Sequence, residues 1–269
     1  MRAQSEGTAG DIPDYEAYDY ESEWRGRAIQ DRAERELVTR WADRGGSCLE
    51  LGGGFGRLTL ALELKFEKIF MVDFSKRNLT KASERLKKTR LIRASIDRIP
   101  FEDSTFDSVV VVRVLHHLPD LAGAIEEMAR VARDGGCIIM GVPNTSRRDG
   151  LTGNTLVACG PQGHKIYAAP ISAYAHPLLQ RVGIRGLGLF DNRLGRGLRS
   201  LESLFAVDVA TSSAWAIKPQ IFIKFRVRKG GPRREPRVIC PCGSPVLSDR
   251  CGSCGRSYGK IIDLTQPPS

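Results

Sequence analysis

The chain has 269 residues, 41% of them apolar, and a formal net charge of +10, enough for one full α/β domain with a small module beside it. No apolar stretch reaches the roughly 18 residues that a membrane-spanning helix needs, and no basic region followed by an apolar run opens the chain, so a soluble cytoplasmic protein with no membrane partner is expected. The charge is unevenly placed: the first stretch, to Glu23, is acidic, whereas residues 224–237 carry Lys224, Arg226, Arg228, Lys229, Arg233, Arg234 and Arg237 against Glu235 alone.

Residues 1–22 are polar, have no apolar period, and read as a mobile acidic segment. Trp24, Ile29, Ala33, Leu37 and Trp41 recur at helical spacing and predict an amphipathic helix, preceded by Tyr15, Tyr18 and Tyr20. Residues 47–59 follow, reading Ser-Cys-Leu-Glu-Leu-Gly-Gly-Gly-Phe-Gly-Arg-Leu-Thr. A short apolar strand holding Glu50 runs into Gly52, Gly53, Gly54 and Gly56, and Leu58, Leu60 and Leu62 then start a helical pattern. Glycines there permit positive φ and let a ligand approach the main chain, and the helix start behind them offers free N–H groups. This is the pattern of a nucleotide-type site at the carboxyl end of a parallel strand, although a tight strand–helix turn without a ligand has the same local sequence. The dinucleotide fingerprint fails in both registers, because its third required glycine or alanine is Arg57 or Thr59, which disfavours a nicotinamide oxidoreductase.

Residues 68–75 form a second apolar strand ending in Asp73, an acid placed to accept both ribose hydroxyls of a nucleoside, or else to cap the helix through Leu79 and Leu86, a role open to Ser75 as well. Residues 91–101 and 106–118 supply two more strands, the second with the buried-strand run through Val112 followed by Arg113 and Leu-His-His-Leu. Residues 120–131 read as a helix, Gly135 and Gly136 end the connection, and residues 137–143 form a fifth strand. A polar, glycine-rich insertion over residues 144–170, with Cys159, His164 and Tyr167, is a candidate lid or substrate wall. Residues 172–182 predict a further helix, 183–190 a sixth strand and 220–227 an antiparallel last strand, with Arg193, Arg196 and Arg199 in between.

The spacing Glu50-x-Gly52-x-Gly54-x-Gly56, the acid at Asp73 followed closely by Ser75, and the Pro-Phe, Phe-Asp and Leu-His-His-Leu segments resemble class I S-adenosylmethionine-dependent methyltransferases of the type 11 kind. The resemblance covers residues 15–228 and is strongest over 48–143. It implies a seven-stranded, mostly parallel Rossmann-like sheet with helices on both faces. It also implies a cofactor site made by Glu50, which helps hold the methionine ammonium, with Leu51, Gly52, Gly54, Gly56, Asp73, Phe74, Ser95, Ile96 and Arg113. Ser95 stands where many relatives have an acid for the adenine amino group, so that contact is shorter, passes through water or falls to Asp97, while the Ile96 backbone N–H is placed for an adenine ring nitrogen. Arg113 lies where the family meets the methionine end. His116 is a candidate base, with a structural or solvated histidine as the alternative.

The tail begins with a glycine-, proline- and arginine-rich linker over residues 229–237. Two close cysteine pairs follow, Cys240 with Cys242 and Cys251 with Cys254, able to place four thiolates around a zinc ion. A module of residues 238–269 is too small to fold on its own core, whereas structural zinc contributes on the order of 10–16 kcal/mol. Two disulfides or a disordered thiol-rich tail are the alternatives. The module resembles zinc ribbons attached to some class I methyltransferases and the small zinc-containing activator subunit of RNA and protein methyltransferases. The organisation expected is therefore residues 1–22, a methyltransferase domain over 23–228, the linker, and the ribbon.

An S-adenosylmethionine-dependent methyltransferase is the leading reading. The acceptor stays open between a small molecule and RNA: the basic linker beside a ribbon argues for RNA, with a solvated linker as the alternative. No Asn/Asp-Pro-Pro-Tyr/Phe or Pro-Cys follows the fourth strand, so the signatures of adenine amino and cytosine C5 methylation are missing. A non-catalytic cofactor-binding scaffold that recruits partners through its ribbon is the alternative.

Overall fold

The computed structural model describes residue 16 and residues 19–144, 155–159, 165–188, 201–232, 234–247 and 249–265. Tyr15, Tyr18, His164, Arg193, Arg196, Arg199 and the side chain of Cys159 lie outside the described residues. A 3-10 turn, Tyr20–Trp24, leads into α1 (Ala28–Trp41), and then β1 (Ser47–Leu51), α2 (Thr59–Leu62), β2 (Lys68–Asp73), α3 (Lys76–Arg85), β3 (Arg90–Arg93) and β4 (Phe106–Val112) follow. Next come α4 (Leu121–Val131), β5 (Ala132–Pro143), β6 (Thr155–Cys159), β7 (Lys165–Ala168), β8 (Leu179–Leu187), α5 (Leu201–Ala210) and β9 (Gln220–Val227). The cysteine module holds β10 (Val246–Leu247), β11 (Arg250–Cys251) and β12 (Ile261–Asp263).

The main sheet has eight strands in the order β12-β3-β2-β1-β4-β5-β9-β8. From β12 to β5 the neighbours are parallel, and β9 and β8 are antiparallel additions. The chain winds outward from β1 to β3, returns to β4 and winds the other way, so the switch point is the crevice between the carboxyl ends of β1 and β4. Both faces are covered, which is why the strands read as apolar runs and not as alternations. Leu49, Leu51, Val109, Val111, Ile138 and Met140 pack on the α4 face. Cys48, Val110, Val112, Cys137 and Ile139 pack on the α1 and α2 face.

Three outcomes differ from the sequence expectation. The sheet has an eighth strand because β12, from the cysteine module, hydrogen-bonds to the β3 edge. The helix expected over 172–182 is a 3-10 turn at Ile171–Tyr174 followed by β8, because Pro177 holds His176 extended and breaks the helical run. The insertion carries a two-stranded hairpin, β6 with β7.

Phe70, Phe101 and Phe106 meet edge-to-face with centroids 4.8–5.6 Å apart, and Phe106 is fully buried at the foot of β4. Phe106→Ala is expected to cost about 3–5 kcal/mol of stability through the cavity it leaves. Chemical denaturation checks this.

Candidate functional site

The crevice is built first from backbone. Gly52, Gly54 and Gly56 sit at φ 65°, 58° and 83°, a left-handed region closed to most side chains. A Cβ on Gly52 would strike Val114, and one on Gly53 would strike Met71. One on Gly56 would stand 2.9 Å from Leu86. The glycines therefore serve packing as well as approach. The helix behind the loop is a single turn, and its Leu60, Ala61 and Leu62 N–H groups are already spent on Gly56 O and Leu58 O. The loop offers shape and backbone, not the helix N-terminus that the sequence led one to expect.

Asp73 closes β2 and reaches back to the loop. Its Oδ2 accepts from Gly54 N–H (2.8 Å) and its Oδ1 from Ser75 N–H (2.9 Å). Ser75 caps α3, its hydroxyl accepting from Asn78 N–H at 3.1 Å, so the cap is not the duty of Asp73. Burial pushes the Asp73 carboxyl up to about 6 against those bonds. No cation is paired with it among the described residues. Glu50, on β1, is buried under the loop, accepts from the Thr59 hydroxyl, and is pushed up to about 7 by burial.

Ser95 opens a 3-10 turn over Ile96–Arg98, donating to Asp97 Oδ2 (2.9 Å) and accepting from Asp97 N–H (3.3 Å). Phe74 is exposed beside Asp73, with the Arg93 guanidinium 5.7 Å from its ring centre. Asp73, Phe74, Ser95 and Ile96 are thus gathered at the tips of β2 and β3.

The N-terminal segment covers this crevice. The Tyr20 ring would lie 3.2 Å from a Cβ on Gly54 and packs on Phe55 at 6.0 Å. Lys81 pairs with Asp19 and Glu21, Arg85 pairs with Glu21, and the Glu16 carboxylate accepts from Lys76 N–H (2.6 Å) and Arg77 N–H (3.0 Å). The acidic stretch seen in the sequence is therefore matched to the basic face of α3.

Behind it lies a network that sequence reasoning missed. Glu34 of α1 is fully buried and accepts from Arg57 Nη2 (2.5 Å) and from Arg113 Nε (3.0 Å) and Nη2 (2.7 Å). The Trp24 ring meets both guanidiniums, its centre 3.6 Å from that of Arg57 and 5.2 Å from that of Arg113. Glu34 interrupts the apolar stripe of Ala33, Leu37 and Val38, the one sequence signal that could have flagged it. Arg113, at φ 63°, turns its side chain to Glu34 and Gln220. Glu34→Ala removes the buried carboxylate that two guanidiniums share, leaving Arg57 only Asp31 and taking from Arg113 its carboxylate partner. It is expected to cost about 3–5 kcal/mol and to release the 3-10 turn over Tyr20–Trp24, measured by denaturation and limited proteolysis.

On the far side of Arg113, the side chain of Gln220 is buried at the start of β9. Arg113 can only donate, so the Gln220 atom it meets is Oε1, and Nε2 is left without a partner. His116 is half-buried, with its ring centre 3.9 Å from that of His117 and its Nδ1 unpartnered. Burial first, then His117 and Arg113, hold its imidazole well below the usual histidine range.

The four module cysteines converge, all Sγ atoms lying within 4.8 Å of one another. Cys240–Cys254 and Cys242–Cys251 are 3.6 and 3.5 Å apart. A tetrahedral site with zinc–sulfur bonds of about 2.3 Å has sulfur–sulfur edges of about 3.8 Å, so the donor set and its spacing fit zinc. Tyr258 Oη donates to Cys240 Sγ at 3.1 Å, as an outer partner of a thiolate would.

The basic segment is largely engaged by the protein itself. Lys224 and Arg226 pair with Asp43, and Arg228 donates to Gln180. Lys229 Nζ donates to Ala129 O and Arg130 O, and Arg234 lies 3.9 Å from Glu102.

Residues 49–140 match the profile of a methyltransferase domain family. The demethylmenaquinone methyltransferase of Staphylococcus aureus is 29% identical over 122 residues, which are 43% of this chain and 47% of that protein. The chain spans about half the length of the curated relatives it matches. Among solved structures, the complex of the Trm112 methyltransferase activator with a candidate methyltransferase from Haloferax volcanii contains a chain 14% identical to this one. That likeness covers 81% of this chain and 99% of that chain at a TM-score of 0.57. An S-adenosylmethionine-dependent methyltransferase from Mesorhizobium loti is 13% identical, covering 74% of this chain and 99% of that one at a TM-score of 0.56. Residues 49–140 of the chain are thus similar to a methyltransferase domain, and its sheet has the fold seen in the solved S-adenosylmethionine-dependent methyltransferase.

Proposed function

We propose that this chain transfers a methyl group from S-adenosylmethionine, with the cofactor lying across the carboxyl ends of β1, β2 and β3 and the acceptor entering from the side of β4, β5 and β9. The observation that carries this reading is the buried, cation-free carboxylate of Asp73 beside the left-handed glycine loop. Each of its oxygens keeps acceptor capacity for a ribose hydroxyl. Glu50 takes the methionine ammonium, and the backbone of Leu51, Gly52, Gly54 and Gly56 forms the wall. Phe74, Ser95 and Ile96 border the adenine. Arg113 acts through its contacts with Glu34 and Gln220, keeping the methionine end closed.

The cofactor brings an already activated methyl group, so the task left to the protein is alignment and removal of a proton from the acceptor. His116, kept unprotonated at neutral pH, is the base this reading assigns. The unpartnered Nε2 of Gln220 supports an acceptor with a hydrogen-bond-accepting oxygen or ring nitrogen, because a buried donor left unpaired costs about 1–3 kcal/mol. Within the linker Lys229 is taken up by Ala129 O and Arg130 O and Arg234 lies near Glu102, so fewer of its charges are left for RNA, which supports a small-molecule acceptor. The profile match stops at residue 140, on the cofactor half, so the likeness to the demethylmenaquinone enzyme supports the cofactor and leaves the acceptor to this chain's own second half. The tail's resemblance to activator subunits and the Trm112 complex of the Haloferax relative support reading the cysteine module, with zinc as its metal, as a built-in companion of the catalytic domain.

Calorimetry with S-adenosylhomocysteine tests the site. Both carboxyls must be ionised to accept from the ligand, and both are raised by burial. Affinity is therefore expected to be full above neutral pH and to weaken as pH falls through about 7 and again through about 6. Asp73→Asn is expected to lower affinity about tenfold or more and to remove the lower inflection. Methyl transfer from labelled S-adenosylmethionine into a small-molecule extract, and not into RNA, is the expected turnover result. Tight binding without turnover on either would favour the scaffold.

A further inference from the structure

The cysteine module does more than cover an edge. It grips the candidate adenine loop from both ends. On the way in, Ile239 N–H donates to Pro100 O at 2.9 Å, and Val238 forms an antiparallel bridge with Phe101. On the way out, β12 pairs in parallel with β3, matching Ile262 to Ile92 and Asp263 to Arg93, and Leu264 N–H donates to Arg93 O at 2.9 Å. Between these two grips lie residues 94–99, with Ser95, Ile96 and Asp97. Asp263 also holds the Arg93 guanidinium at 3.2 Å, and Arg93 Nε donates at 2.9 Å to Phe74 O, the carbonyl next to Asp73. Ile261 packs on the cluster of Met71, Leu79, Ala82, Leu86 and Leu91, whose Met71 and Leu86 stand against Gly53 and Gly56.

The two arms are joined by the knuckle that holds the four cysteines. Its strands β10 and β11 have two residues each, too little structure to stay closed without a cross-link. A metal on Cys240, Cys242, Cys251 and Cys254 supplies that cross-link and removes the closure entropy the arms would otherwise lose on docking.

We propose that the cysteine module is a positioning element for the adenine side of the cofactor site, so that metal binding in the knuckle and cofactor binding at the β2 and β3 tips are thermodynamically coupled. Asp263 is the positioning residue that carries the coupling to Arg93. The proposal rests on the cofactor reading above and adds to it that the adenine loop is set by metal-closed arms and not by the sheet alone. Coupling of this kind is reciprocal: whatever factor the metal adds to cofactor affinity, the cofactor adds to metal affinity.

The test uses the full chain, loaded with zinc or stripped by a chelator, with S-adenosylhomocysteine as the titrant. Stripping is expected to weaken its binding about tenfold or more. In a competition assay with a chromophoric chelator, zinc affinity should rise by the same factor when S-adenosylhomocysteine is present. Asp263→Ala, kept zinc-loaded, keeps the test decisive if the stripped chain unfolds. It should retain its zinc affinity in the absence of cofactor, bind S-adenosylhomocysteine several-fold more weakly, and lose most of the cofactor-induced gain in zinc affinity. A residue needed only for folding would not alter that gain selectively. Equal S-adenosylhomocysteine affinity in loaded and stripped folded protein, or a variant with undiminished reciprocity, overturns the proposal and leaves the cofactor reading standing. No binding by the zinc-loaded wild type overturns the cofactor reading itself.

Discussion

The crevice depends on one buried carboxylate. Asp73 accepts from the backbone of the glycine loop on one side and of the α3 entry on the other, so the turns that follow the paired strands β1 and β2 are tied together by one side chain. Burial makes those bonds strong and makes the charge costly, and the raised carboxyl records that cost. An interior acid with donors on two sides and no cation is an arrangement a neutral polyol completes well.

The other side of the crevice is held by charge. Glu34 lies between Arg57, which follows the glycine loop, and Arg113, which follows β4, so α1 is tied to both halves of the sheet at the switch point. Trp24, against the same guanidiniums, carries the N-terminal turn into place, and the acidic residues around Tyr20 fit the basic α3. Buried nitrogens without partners lie on the far side of this network at Gln220 and His116, and within it at Trp24 Nε1.

The cysteine module belongs to the same frame. Val238, Cys240, Val246, Cys251, Tyr258 and Ile262 are buried in the core cluster that fills the α4 face of the sheet. The linker between the sheet and this module, read by composition as a basic tether, touches the protein at Lys229 and near Arg234. Its charges meet carbonyls at the end of α4 and acids on neighbouring loops, where cations are favoured by the helix dipole and by pairing.

Local sequence determined much of this. The glycine turn, Asp73 at a strand tip, the Ser75 cap, the apolar central strands and the paired cysteines each follow from backbone sterics, burial or ligand chemistry acting within a few residues. Helix-like composition misled at residues 172–182, where Pro177 overrules the apolar spacing. The role of Arg113 could not be read locally either, because its partners Glu34 and Gln220 come from distant parts of the chain. The same holds for the eighth strand: three residues, Ile261–Asp263, carry too little pattern to announce a sheet position, and only the open β3 edge gives them one. The sequence by itself determined the cofactor-type turn and the metal-type knuckle, because each is written in neighbouring residues. The tertiary structure alone decided that the arms of the knuckle dock on β3 and on Pro100 and Phe101, because that contact depends on which edge the folded sheet leaves unpaired.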